Sequence, residues 1–251
     1  MNQIQKSKTS SVLGILQSDA FRQQIAVALP KHMTADRMIR IALTELRKTP
    51  KLMECDDKSL FGAIVQCSQL GLEPGNSLGH AYLIPYGREC TLIIGYKGLI
   101  ELARRSGQIV SISAREVHEK DKFVIKYGLN EVLEHEPNFV DRGKVIGFYA
   151  IAQLKDGGHQ FEYMTLDDIE KVRESSKSSK GAMSPWVNYY NEMGKKTVVR
   201  RLFKYLPVSI DIQRAISLDE QADAGVQNNS YSFEDIEEIQ ELKVATESDK
   251  E

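Results

Sequence analysis

The sequence predicts an α+β fold, in which a central antiparallel β-sheet with hairpins is packed by helices and both ends of the chain are helical. Three observations predict it. Apolar residues recur at helical spacing through residues 12–70 and again through 166–221. Between them, residues 80–164 switch to short β-rich runs separated by turn signals. Finally, 41% of the 251 residues are hydrophobic, enough for a sizeable buried core.

The first ten residues are polar and expected to be disordered. One helix is predicted from Val12-Leu13 through Leu16, Ala20-Phe21 and Ile25, stopped by Pro30. A second runs from a Thr34 N-cap through Met38, Ile39, Ala42, Leu43 and Leu46 and closes before Pro50. A third covers Ser59 to Leu70, with Leu60, Ala63, Ile64 and Cys67 on one face and Gly71 as its C-cap. The runs 80–86 and 91–94 flank Gly87-Arg88-Glu89 and predict a hairpin. Tyr96 to Ser106 turns helical and ends at Gly107. Strands follow at 109–117, 122–127, 145–154 and 160–164, the last two joined by the hairpin turn Asp156-Gly157-Gly158. Helix returns at 166–174 with Thr165 as N-cap, and a Ser-, Lys- and Gly-rich loop fills 175–184. A long helix opens at Pro185 and closes at Leu206 before Pro207; a final one spans 210–221. The polar tail has one weak amphipathic stretch around Phe233, Ile236 and Ile239.

Composition excludes several classes. No run approaches 18 consecutive apolar residues, so no membrane span is expected. The N-terminal residues lack the apolar segment of a secretory signal, which points to the cytoplasm. Three cysteines without C-x-x-C spacing and five scattered histidines argue against a disulfide framework and a metal site. The thiols are expected to be reduced and partly buried.

The net charge of −2 conceals an asymmetry: residues 222–251 hold nine acids against two lysines, a net −7, which leaves +5 on residues 1–221. A basic body with an acidic tail suits a polyanion binder. The densest basic stretch, residues 171–204, has nine cations against two acids. Within it Lys196, Arg200 and Lys204 follow at i, i+4 and i+8 on one helical face, with Arg201 at its edge. Trp186, Tyr189 and Tyr190 project to the same side, while Val198, Val199, Leu202, Phe203 and Leu206 fill the opposite arc. Lys195 falls in that apolar arc, where its stem snorkels or meets another charge. Such a stripe of cations and flat rings is what a single strand of nucleic acid needs, since cations neutralise phosphates and rings stack unpaired bases. The alternative is a solvated helix face with Trp186 in the core.

A second candidate is Gly95-Tyr96-Lys97-Gly98, at a strand-to-helix junction where backbone N–H groups are free to meet an anion. Arg104 and Arg105 close the same helix, where they either answer its dipole or touch DNA. Enzyme signals are weak. Gly194-Lys195-Lys196-Thr197 lacks the first glycine of a P-loop, because position 189 is Tyr, and it lies mid-helix. Glu116-Val117-His118-Glu119-Lys120-Asp121 gathers acids and a histidine at a strand end, either a nuclease metal site or a solvated turn. No nucleophile elbow supports Ser-His-Asp chemistry.

Several blocks together resemble the RecT family of phage recombination proteins. They are Gln66-Cys67-Ser68-Gln69-Leu70-Gly71-Leu72-Glu73-Pro74-Gly75 and Gly79-His80-Ala81-Tyr82-Leu83-Ile84-Pro85-Tyr86. Ile94-Gly95-Tyr96-Lys97-Gly98, Ala103-Arg104-Arg105-Ser106-Gly107 and Leu154-Lys155-Asp156-Gly157-Gly158 follow in order. The most specific is Pro185-Trp186 through Lys195-Lys196-Thr197 to Arg200-Arg201-Leu202-Phe203-Lys204-Tyr205-Leu206-Pro207. The resemblance covers residues 30–220 and implies a cofactor-free, ATP-independent protein, not an enzyme, that anneals single-stranded DNA. It implies rings or filaments on DNA, a partner phage exonuclease, contact with host single-strand binding protein, and a basic groove that leaves bases exposed for pairing in the annealed duplex intermediate.

On that reading residues 1–30 form an N-terminal helical segment for subunit contacts or core packing, 31–221 the DNA-binding annealing core, and 222–251 an acidic tail that binds a partner or mimics DNA. Lys196, Arg200, Arg201 and Lys204 are expected to clamp phosphates with Lys97 assisting, and Trp186 and Tyr96 to support bases. Thr197, Arg104, Arg105 and the loop lysines Lys177 and Lys180 complete the candidate contacts. A passive single-strand binder and a metal-dependent nuclease are the rival functions.

Overall fold

The computed structural model describes residues 12–75, 78–176, 179, 184–207 and 209–226. The chain divides into two compact units, one holding Met1–Gly98 and the other Leu99–Gly225. The architecture is the α+β arrangement expected from the sequence, with antiparallel strands throughout.

In the first unit the helices are α1 (residues 12–16), α2 (Asp19–Ala28), α3 (Ala35–Lys48) and α4 (Asp57–Leu70). The single helix expected over 12–29 is broken, because the Ser18 hydroxyl accepts from the Phe21 N–H at 3.2 Å and starts a new helix. A hydroxyl at that position satisfies one of the open N–H groups of a first turn, which makes the restart favourable. Thr34 does stand at the N-cap of α3, but its hydroxyl makes no capping bond. Asp56 caps α4, which starts at Asp57, two residues before the expected start, and Gly71 closes it in the left-handed conformation at φ 60°. The apolar faces meet in a core where the Phe21 and Phe61 rings stand 5.4 Å apart.

The expected hairpin follows, β1 (Ala81–Tyr86) and β2 (Glu89–Ile94), paired from Ala81↔Ile94 to Tyr86↔Glu89. It is tied to α4 by the Cys90 N–H, which donates to the Ser59 hydroxyl at 2.9 Å. Cys55, Cys67 and Cys90 form no disulfide and are buried, more deeply than expected, and burial pushes the Cys67 thiol up to about 12. A thiol so raised is a small apolar side chain, not a nucleophile.

Helix α5 (Tyr96–Arg105) leads into the second unit. There a three-stranded sheet has the order β3 (Ile109–His118), β6 (Val145–Leu154), β7 (His159–Thr165). A two-stranded hairpin, β4 (Lys122–Lys126) and β5 (Val132–Glu136), completes the β structure of the unit. The sequence reading placed no strand at β5: its apolar positions are few, and glutamates alternate with them. The register puts Tyr149, Ile151, Phe161 and Tyr163 on one sheet face and Phe148, Ala150, Ala152 and Met164 on the other. Phe123 of β4 lies 5.9 Å from the Tyr149 ring and 5.2 Å from Tyr163, so the hairpin covers the first face.

Helices complete this unit: α6 (Leu166–Ser175), α7 (Pro185–Asn188), α8 (Tyr190–Leu202) and α9 (Ile210–Ala224). Thr165 caps α6 in a reciprocal box with Asp168. Helix α8 lies on the second sheet face. A side chain at Gly194 would come within 2.6 Å of the Phe148 ring, so only glycine allows this approach. The long helix expected from Pro185 to Leu206 is interrupted at Tyr189 (φ −139°, ψ 47°) and ends in a 3-10 turn over Phe203–Tyr205. Of the serine-rich loop, Ser176, Ser179 and Ser184 are buried, and the Ser184 hydroxyl caps α7. The remaining loop residues, the N-terminal ten and the amphipathic stretch of the tail lie outside the described residues. Among the described residues no helix is long and apolar enough to cross a membrane.

The acidic cluster at the end of β3 organises the hairpin. The Asp121 side chain is buried and accepts from both Arg142 Nε (3.1 Å) and Nη2 (2.6 Å) and from the Asn138 N–H (2.9 Å). The His118 N–H (2.9 Å) and His135 Nε2 (3.0 Å) complete its partners. The Arg142 hydrogen bonds, against the carboxyl's own burial and aided by His135 and the two backbone donors, hold Asp121 well below the usual carboxylate range. With five donors on two oxygens this carboxylate is a structural hub, and among the described residues no His, Cys, Asp or Glu cluster is suited to a metal ion.

Asp121→Asn is expected to destabilise the protein by about 3 kcal/mol in urea titrations, the usual cost of breaking a buried pair from one side. Because the folded value is depressed, the carboxylate's contribution is complete above its unfolded value of about 3.9 and is lost as pH falls below it. The gap between wild type and variant should therefore narrow below about pH 4; a gap independent of pH would show that Asp121 acts through shape alone.

Candidate nucleic-acid interface

Helix α8 and the turn after it carry the basic stripe that the sequence singles out, and the structure separates its cations into two groups. Lys196 is buried, 6% exposed, with its Nζ 2.7 Å from Asp219 Oδ1 on α9. Arg200 Nη1 lies 3.0 Å from Asp219 Oδ2 and also binds Asp223. Burial alone would lower the Arg200 guanidinium, but Asp219 and then Asp223 outweigh it and hold it above the usual arginine value. The expected exposed stripe is therefore corrected: its first two turns face α9, whose carboxylates at i and i+4 match cations at i and i+4. Asp223, which charge counting assigns to the tail, belongs to α9.

The second group is open. Arg201 is half-exposed and pairs with Glu162 of β7 at 3.2 Å. Lys204 is exposed in the 3-10 turn beside Tyr205, which is 62% exposed. The apolar arc is as expected, with Val198, Val199, Leu202, Phe203 and Leu206 all buried. Lys195 meets Glu192, one of its two expected outcomes. Thr197 is buried and donates to the Met193 carbonyl at 2.8 Å.

The aromatics also divide. Trp186 is in the core, 1% exposed, with its ring 6.2 Å from Tyr190, which in turn lies 6.4 Å from Phe148. Arg173 stacks over the Tyr190 ring at 5.8 Å. The break at Tyr189 turns that residue outward, 66% exposed, while Tyr190 turns in. The expectation that Trp186, Tyr189 and Tyr190 share a solvent-facing side fails because the chain leaves the helix between them.

In the first unit Lys97 is exposed in the first turn of α5, and Tyr96 is half-buried. The two glycines around them are there for packing: a side chain at Gly95 would meet the Gly79 carbonyl at 2.2 Å, and one at Gly98 the His80 carbonyl at 2.2 Å. In the second unit Arg104 is exposed, and Arg105 pairs with Glu101 at 3.2 Å. Lys177 and Lys180 lie outside the described residues. Sequence reasoning missed Asp219 and Glu162; the i, i+4 acid pair on the last helix was the signal available for the first of them.

A model of the RecT family matches residues 36–238. Protein RecT of Escherichia coli (strain K12) is 53% identical over 246 residues, covering 92% of this chain and 91% of the relative. The chain belongs to the RecT family. An uncharacterized protein of Bacillus subtilis (strain 168), YqaK, is 29% identical over 210 residues, covering 82% of this chain and 71% of its own. Membership of the RecT family makes this a DNA recombination protein. The matched span takes in α3 to α9, so both cation groups and the carboxylates of α9 lie within RecT-family sequence.

The two groups should respond differently to substitution. Asp219→Ala leaves Lys196 buried without a partner and is expected to cost about 3–5 kcal/mol of stability. Glu162→Ala breaks only the pair with the half-exposed Arg201 and should cost less than about 1 kcal/mol. Equal losses in a denaturant titration would overturn the division.

Proposed function

We propose that this protein anneals complementary single strands of DNA without ATP, cofactor or catalysis, working in the cytoplasm as a ring or filament of identical subunits. Base pairing supplies the driving force. The protein need only neutralise phosphates, extend the strand and leave the pairing edges free, so that many subunits hold nucleotides in register and homology search becomes zippering. A phage exonuclease that exposes the strand, the host single-strand binding protein that covers it and the annealed duplex intermediate are the partners this reading requires.

The observation that carries the reading is membership of the RecT family, and the second unit offers open cations that suit it. Arg104, Arg115, Lys155, Lys171 and Lys204 are exposed and make no salt bridge among the described residues. Free cations displace counterions from phosphates, which favours binding through entropy and makes it salt-dependent. Arg201 joins them by exchanging Glu162 for a phosphate, and Lys97 offers a further contact in the first unit. Lys196 and Arg200 serve by fixing α8 against α9, and Thr197, bonded within α8, is buried. The exposed rings Tyr189 and Tyr205 take the base-supporting role first considered for Trp186, whose burial makes it a core residue, and Tyr96 assists.

The test is the pairing rate of two end-labelled complementary oligonucleotides without ATP. Fast pairing with intact ends is expected. Binding without acceleration would make the protein a passive binder, and shortened strands would make it a nuclease. Lys204→Glu should weaken binding of all sequences alike and lower the salt slope by about 1; an unchanged slope would remove Lys204 from the interface.

A further inference from the structure

The sheet face opposite α8 holds a pocket of about 480 Å³ beside the β6–β7 turn. Leu133 of β5, Ile151 of β6 and Phe161 of β7 line it, and Phe161 is nearly buried. The Phe161 ring lies 5.6 Å from that of Tyr127, which is 58% exposed. Gln153 and His159 supply polar groups to the lining. The Gln153 side-chain oxygen accepts from the Ser111 hydroxyl at 3.1 Å, which fixes the amide and leaves its two N–H bonds to donate elsewhere. Gly157 and Gly158 border the pocket in the turn; Gly157, at φ +89°, takes a conformation that side chains disfavour, so this border stays bare.

This lining specifies its ligand's chemistry. The size suits a small ring system. None of the lining residues is acidic, lysine or arginine, so a compact ion would lose its hydration without a counter-charge. An aliphatic group would make no use of the Gln153 amide. A flat ring with an apolar face and hydrogen-bonding edges satisfies both the rings and the amide, and Lys155, exposed next to Leu154, is placed to meet an attached phosphate.

We propose that this pocket takes one unstacked nucleobase of the bound strand, an inference that rests on the single-strand annealing reading. One base per subunit is then held by its ring, with the amide as an undiscriminating donor, and the strand is interrupted at a fixed point of the subunit's surface. Neighbouring bases keep their pairing edges open.

The experiment compares the full chain's affinity for an oligonucleotide with that for an abasic backbone of the same length. Tyr127→Ala, His159→Ala and the pocket-filling Ile151→Trp are each compared with wild type. Each variant is expected to lose part of the preference for the intact strand, about tenfold for Ile151→Trp. Affinity for the abasic backbone should be unchanged, since no phosphate contact is altered. A 2-aminopurine that leaves the base stack for the pocket should brighten on binding wild type, and that rise should be lost in Ile151→Trp. A wild-type preference retained in all three variants overturns the pocket while leaving the annealing reading intact. Loss of preference in the two exposed-site variants supports it even where Ile151→Trp fails to fold. Wild type that binds neither strand overturns the annealing reading itself.

Discussion

A cation taken out of water must take its counter-charge with it, and α8 places two of them where water does not reach. Desolvation costs several kcal/mol per ion unless a partner of good geometry is at hand. Asp219, fully buried, supplies one oxygen to Lys196 and the other to Arg200, and Asp223 shares the guanidinium. On the sheet side Gly194 lets the helix settle against Phe148. With both sides fixed, α8 has no freedom to rotate: a shift of one residue, about 100°, would expose Val199 or bury Arg201. The buried pairs thus decide which cations stay accessible: Arg201, paired with Glu162 at the end of the helix, and Lys204 in the turn that follows.

The legibility of the fold follows the same logic. Elements whose signals are local were readable from their own residues: the Thr165 box, the Gly71 cap and the Gly157 turn each satisfy backbone groups within a few positions. The helix break at Tyr189 has no Pro or Gly to announce it, and at Ser18 the hydroxyl was outweighed by an apolar pattern that continues through it. β5 was hidden because Glu134 and Glu136 face away from the sheet while Leu133 and His135 face toward it, so half of its alternation is charged. The candidate site was legible as a set of residue types and not as a surface. Helical periodicity places Lys196, Arg200 and Lys204 on one stripe, but it cannot tell a stripe facing solvent from one facing acids of the next helix. The acids of α9 carried that information.

The cluster at Glu116–Asp121 shows the same limit from the other direction. By composition it suits a metal ion as well as a turn. In the fold, Arg142 and Asn138 arrive from the β5–β6 loop and His135 from β5, and they occupy the carboxylate completely. What results is a brace for the hairpin. His135 is bound to the hub, and Leu133, two residues along the same face of the same strand, lines the pocket. The buried charge at one end of β5 therefore fixes the apolar wall at the other.

Phosphate and base make opposite demands on a protein surface, since one needs open cations and the other a dry, uncharged wall. The second unit separates these properties, with cations on the exposed end of α8 and the pocket on the opposite face of the sheet. The separation matters for annealing. On the proposed reading the base in the pocket is the one withheld from pairing, while its neighbours, beside the open rings of Tyr189 and Tyr205, keep their edges free. On the same reading, sequence-independent binding follows from how little the pocket can read: the Gln153 amide and the His159 ring among apolar side chains do not rank the four bases, so the choice of partner passes to the complementary strand.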